Sequence, residues 1–263
     1  ASELSRVNKA PANTPIPLSP GLAKVLRAAL DLATETDGLL DVTVGPLVNL
    51  WGFGPAAHGE APTEAEIAEA MAQVGYKRLL LEGAHLTKTV EEMYIDLSAI
   101  AKGFAVDELA DALQQLGYHN LLVNIGGDLI AVGRNPQGEA WEIGIEQPRS
   151  DSNLTTPPMQ RLQVKDGAVA TSGSYRRFRR VRERLAHHLI DPRIGRPTPS
   201  PLVSATVRAQ DAMTADALAT AMMVMGQAAG LRYAQTHEEI EVLFIVAEED
   251  GGFAIQHSSS FFK

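Results

Sequence analysis

Cysteine is absent from the 263 residues. That absence excludes disulfides, thiolate metal sites and a cysteine nucleophile together, and it suits an exported chain as well as a cytosolic one. Positive charge is in deficit, because 23 lysines and arginines face 32 acids, a formal net charge of −9. Nucleic acid is therefore not an expected partner, since its phosphates would meet a net repulsive field over any broad surface. No run approaches the ~20 apolar residues that a membrane helix needs. The opening "ASELSRVNKAPANTP" lacks the basic segment followed by an apolar one that marks a signal peptide. There is no Walker P-loop and no G-x-G-x-x-G fingerprint, and there is no internal repeat and no convincing linker.

What remains is a chain with an ordinary apolar content of 45% and mixed signals for helix and strand. Residues 1–18 are polar and Pro-rich and read as an extended lead-in to one domain over residues 19–263. A helix follows Ser19 as N-cap, with Leu22, Val25, Leu26, Ala29, Leu30 and Ala33 at helical spacing and Gly38 as its stop. A second starts at Thr63, with Glu66 as capping-box partner, and ends at Gly75. "KRLLLEGAHLTKT" reads as a hairpin around Glu82-Gly83, and a third helix runs from after Asp96 to about Leu116. Short β runs with Gly turns fill "NLLVNIGGDLIAVGRNPQGEAWEIGIEQP", and a loose polar stretch spans Ser150 to Pro158. Beyond it come further strands ending at "LVSATVRAQ", the helix "DAMTADALATAMMVMG", a short helix and two strands. Without strict strand–helix alternation, this order points to an α+β domain with mostly antiparallel sheets and packed helices.

Several constellations could carry chemistry. Asp216 and Thr220 lie four apart on a helix, which puts a carboxylate and a hydroxyl on one face as hard oxygen ligands for Mg²⁺. Spacing alone favours a first-turn Asp stabilised by the helix dipole beside an incidental threonine, but Ala215, Ala217, Ala219 and Ala221 make the helix narrow enough to lie close to a ligand. In "IDLSAIAKGFAVDEL", Asp96 could accept hydrogen bonds from a base or ribose and Lys102 could sit against a diphosphate. An N-cap Asp and a surface lysine are the plainer alternative. The glycines of "NIGGD" allow close backbone approach to a ligand, or simply a hairpin turn. The arginines from Arg176 to Arg184 alternate with Tyr175, Phe178 and Val181, a pattern that favours the wet face of a strand over an anion site. His188 near Asp191 is a possible acid/base pair. The Gly-rich "DGLLDVTVGPLVNLWGFG", with Trp51, could wall a flat ring system or pack in a core.

Taken as an ordered set, "DGLLDVTVGPLVNLWGFG", "IDLSAIAKGFAVDEL", "NIGGDLIAVG", "TSGSYRRF", "HLIDPRIGRP" and "MTADALATAMMVMG" resemble the ApbE-type FAD:protein FMN transferase family, over about residues 35–226. The resemblance implies a T-fold-like α+β fold and a Mg²⁺-dependent reaction. In it the FMN half of FAD moves to a Thr or Ser hydroxyl of a target protein, here a membrane redox-complex subunit, and AMP is released. It further implies the periplasmic face of the bacterial inner membrane, often as a membrane-associated lipoprotein. Carried over by motif, Asp216 and Thr220 would bind Mg²⁺ with side-chain oxygens and Ala99 with its carbonyl. Leu39, Leu40, Asp41, Asp96, Lys102 and Ile190 would contact FAD, and His188 with Asp191 would serve as acid/base groups. The family carries a Met-Gly-Thr strand upstream of the segment that "SELSRVN" resembles, so one wall of the flavin pocket is expected to lie outside the given sequence. Ile194 stands where the family's "DPxTG" turn has threonine. If water replaced the acceptor, the same site would be an FAD pyrophosphatase. A non-catalytic flavin carrier would have no need of a metal pair such as Asp216/Thr220.

Overall fold

The computed structural model describes residues 2–55, 61–148, 157–175, 178–181, 184–198 and 200–262, with backbone alone for 178–181 and 184–186. Its chain forms two units, Ala1–Ala99 with Phe178–Thr198, and Ile100–Arg177 with Pro199–Lys263. Most of the polar stretch expected from Ser150 to Pro158, along with Arg176, Arg177 and Arg182, lies outside the described residues.

In the first unit, local signals set the helices. Ser19 accepts a hydrogen bond from the Leu22 amide and Pro20 opens the helix Pro20–Glu35, whose Val25, Leu26, Ala29, Leu32 and Ala33 are buried. Gly38, at φ +76°, turns the chain as its amide reaches Ala33 O. The Thr63/Glu66 capping box forms, but its helix spans Glu64–Ala72 rather than reaching Gly75. Gly75, at φ +142°, belongs to the following turn. The hairpin pairs Leu79–Glu82 with His85–Lys88. A short helix, Gly45–Leu50, has no counterpart in the sequence reading, because six residues are too few to show a period.

The expected extended lead-in is corrected. Glu3–Lys9 is a helix capped by Ser2, and Ile16–Pro17 pairs with the hairpin strand His85–Lys88. Only Val7 of that helix is buried, so it carries no apolar stripe that a sequence could display. Its anchors are tertiary. Asn8 exchanges two hydrogen bonds with the Ile95 backbone at 2.9 and 2.8 Å. Fully buried Lys88 donates to Asn8 O at 3.0 Å and Met93 O at 3.4 Å. Leu47, Trp51, Ile67, Ala70, Val74 and Ile190 form a core, in which the Trp51 indole N–H donates to Gly195 O at 2.8 Å. Trp51 is thus a core residue. The unit is completed by the hairpin Phe178–Val181/Arg184–His187 and the pair Ile190–Asp191/Arg196–Pro197.

The second unit is built on a six-stranded sheet in the order Phe253–His257, Glu241–Ala247, Leu202–Ala209, Gly167–Gly173, Asp128–Val132, Leu121–Ile125. Every neighbouring pair in it is antiparallel, as the α+β reading anticipates. Side-chain alternation divides its two faces. Leu129, Val169, Leu243 and Ile245 pack with Ile143 and Leu162 of the hairpin Trp141–Ile145/Gln160–Val164. Phe244, between Leu243 and Ile245, instead lies against Gly230 and Met222 on the helical side. There the helices Ala101–Gln115 and Ala212–Met225 cross, and a Cβ on Gly103 would lie 2.1 Å from Ala212 O. The first of these begins at Ala101, not after Asp96. Asp96 accepts instead from the Ser98 amide at 2.8 Å and from its hydroxyl, a local turn that competes with a helical start.

Candidate active site

Within the second unit, three of the expected site residues come together. Asp211 caps the helix Ala212–Met225 by accepting from the Thr214 amide at 2.7 Å, which sets the phase that carries Asp216 and Thr220 inward. Asp216 is 5% exposed, and its Oδ2 accepts from the Gly103 amide at 3.0 Å, in the first turn of the neighbouring helix. Close contact of these helices is possible because position 103 has no side chain. One turn on, the Thr220 hydroxyl lies 3.0 Å from Ser172 Oγ on the strand Gly167–Gly173. Lys102, adjacent to Gly103, forms an ion pair with Asp128.

Asp128 and Ser172 are the residues that sequence reasoning missed. "NIGGD" drew attention for its glycines, whereas its acid is the group that is buried and charged. Asp128 is 1% exposed at the start of its strand, and its Oδ2 has no hydrogen-bond partner of good geometry among the described residues beyond the Lys102 ion pair. The available signal was a carboxylate opening the apolar run "DLIAV", where an acid is out of place. Burial pushes the Asp216 carboxyl up to about 7, and the Asp128 charge adds to the rise, while the Gly103 amide and the Lys102 charge oppose it. Two buried carboxylates thus share one ammonium. This excess of hard, negative oxygen fits a cation such as Mg²⁺, with hydroxyl and carbonyl oxygens filling further positions. Among the described residues no group of three or more His, Asp or Glu side chains could hold a metal. A metal here would therefore depend on few carboxylates. The partly exposed Lys102 ammonium fits an anionic phosphate group.

The first unit holds the other expected residues. Leu39 and Leu40 are buried. Asp41, 6% exposed, accepts from Thr43 N at 2.8 Å, Thr43 Oγ1 at 2.6 Å and Tyr76 N at 2.8 Å. Its carboxylate thus ties two turns together, and burial raises its pKa against the effect of those bonds. Asp96 is half-buried in its turn with Ser98, and half-buried Ala99 ends the segment. His188 is half-buried, its ring edge-on to Phe53 at 6.3 Å between centroids. Ile190 is in the Trp51 core. Buried Asp191 accepts from Arg193 N at 2.9 Å, Nε at 3.1 Å and Nη2 at 2.9 Å. Ile194 is exposed in the same turn.

The model of the ApbE family matches residues 1–244. The chain belongs to the ApbE family. The match takes in the helix Glu3–Lys9 and extends past both ends of the 35–226 span that the motifs mark. An FAD:protein FMN transferase of Vibrio cholerae is 44% identical over 261 residues, covering 99% of this chain and 77% of the relative. One from Haemophilus influenzae is 41% identical over 268 residues, with 100% and 76% covered. Among solved structures, the ApbE flavin transferase of Vibrio cholerae superposes with a TM-score of 0.87 at 44% identity, covering 99% of this chain and 82% of that one. The apo form of Pseudomonas stutzeri flavinyl transferase ApbE does so with a TM-score of 0.88 at 35% identity, with 99% and 81% covered. The ApbE fold is therefore shared along nearly the whole chain.

Proposed function

We infer that this chain is an FAD:protein FMN transferase that uses Mg²⁺ and a Thr or Ser hydroxyl of a target protein. The observation that carries the reading is the pair of buried carboxylates, Asp128 and Asp216, beside the partly exposed Lys102, held in a chain 44% identical to a named transferase. The acceptor oxygen bonds to the FMN-side phosphorus of FAD, the bridging P–O bond breaks, and AMP departs with the bridging oxygen. The hydroxyl proton passes to His188, with Asp191 in the same turn. Lys102 holds the diphosphate by its charge. Asp216 and Thr220 would hold Mg²⁺, which when bound supplies neutralisation of charge on the phosphate oxygens.

The carbonyl of Ala99 as a ligand, and Leu39, Leu40, Asp96 and Ile190 as FAD contacts, rest on family resemblance alone. So does Asp41, which would act through its backbone, since its carboxylate is engaged with Thr43 and Tyr76. The acceptor is proposed to be a membrane redox-complex subunit on the periplasmic face of the bacterial inner membrane. Incubation with FAD, Mg²⁺ and a protein bearing an acceptor Thr tests the reading. Covalent flavin on the acceptor is expected. Free FMN with AMP would mean a pyrophosphatase, and unchanged FAD a carrier.

A further inference from the structure

Asp128 has no role in the reading above beyond its charge, yet its side chain is only 2% exposed. It follows directly on the turn formed by Gly126 at φ +60° and Gly127 at φ +103°, which Asn124 closes by accepting from the Gly127 amide. The Lys102 stem passes over this turn, where a Cβ on Gly126 would lie 3.6 Å from Lys102 Cδ. The turn therefore offers the lysine stem backbone alone, and the ammonium ends on the Asp128 carboxylate. The two partners differ in exposure, 37% for the Lys102 side chain against 2% for that of Asp128. One is fixed in the protein and the other is open on one side. An ammonium has three N–H donors, so pairing with a buried carboxylate leaves donors for a second anion. Untethered, a four-carbon stem spreads over many rotamers, and a ligand must then order it.

We propose that Asp128 is a positioning residue, which anchors Lys102 so that the free side of its ammonium faces the diphosphate of FAD. This rests on the reading of Lys102 as an FAD contact. The alternative is that Asp128 only stabilises the fold, and a double-mutant cycle in binding separates the two. FAD affinity is measured with divalent cations chelated, for the unmodified chain, Asp128→Asn, Lys102→Met and the double variant. Each single change should weaken binding about tenfold or more, the scale of a charge-assisted hydrogen bond. The double variant should bind no more weakly than Lys102→Met alone.

Losses that multiply, or tighter binding by Asp128→Asn, would overturn the positioning role and leave the transferase reading intact. Lys102→Met binding FAD like the unmodified chain would overturn the positioning role together with the reading of Lys102 as an FAD contact, and no FAD binding by the unmodified chain, with or without Mg²⁺, would overturn the transferase reading as well. Should Asp128→Asn not fold, the side-chain ¹⁵N signal of Lys102 decides, assigned by its loss in Lys102→Met. A restricted ammonium in the unmodified protein is expected. One as mobile as a surface lysine would refute the anchoring.

Discussion

At the scale of single residues, burial and hydrogen bonding decide what a carboxylate can do. Asp216 combines burial, one backbone donor and a neighbouring acid, whereas Asp41 has donors on both oxygens. Asp216→Asn keeps the shape but removes charge, so Mg²⁺-dependent turnover should largely disappear while FAD binding persists in weakened form. Turnover measured across a Mg²⁺ titration checks this, and unchanged turnover at limiting Mg²⁺ would remove Asp216 from the metal site. Asp41 yields a pH prediction. Its pKa in the fold is raised, so the folded form keeps its proton after the unfolded form, near the ordinary ~3.9, has released it. The resulting stability is complete below the unfolded pKa and is lost as pH rises through the folded one. Asp41→Asn abolishes that dependence, so its destabilisation relative to the unmodified chain should shrink between acid and neutral pH. Urea unfolding of both proteins along a pH series reads the difference, and a constant gap would contradict it.

Secondary-structure elements bring the site residues together through two contacts between helices. Gly103 admits the Ala212 backbone, and the buried Asp107 carboxylate accepts from Ala212 N at 2.7 Å and Met213 N at 2.9 Å. That second contact satisfies amides which the start of a helix otherwise leaves without partners. Gly103→Ala would drive a methyl into a backbone carbonyl that cannot swing aside, so destabilisation of at least ~1–3 kcal/mol is expected. Because Gly103 also donates to Asp216, Mg²⁺ affinity should fall with it. Thermal melting together with Mg²⁺ titration tests the pair of effects. A stable variant with unchanged Mg²⁺ affinity would show that the crossing can relax. Where caps dominate, as at Ser19 and Thr63, helix starts were legible in the sequence. The start after Asp96 was misplaced because Ser98 takes the Asp96 oxygen that a helix cap would need.

On the scale of the whole molecule, the proposed reaction separates binding from proton transfer, and His188 carries the second. His188→Ala should slow covalent flavin transfer by ~10²–10⁴-fold, the usual contribution of a positioned base, while FAD affinity and melting temperature change little. Single-turnover transfer, FAD titration and melting on one variant are the measurements. Transfer at the unmodified rate, or a loss that merely follows a lost fold, would move the role to an acid such as Asp191. That acid already accepts three hydrogen bonds from Arg193, so it could act as a base only by giving some of them up.

Local order in the sequence determined the antiparallel α+β class, the capped helices, the hairpin at Glu82-Gly83 and the family-like order of the motifs. Each of these depends on neighbours within a few residues, through helical spacing, turn glycines or a capping side chain. Only the tertiary structure decided that Glu3–Lys9 is a helix, since Ile95 and Lys88, eighty or more residues away, anchor it through Asn8. The same holds for Asp128, whose significance lies in burial beside Asp216 and in its pairing with Lys102. A carboxylate's desolvation and its opposing charges come from segments distant in sequence, so spacing along the chain cannot report them.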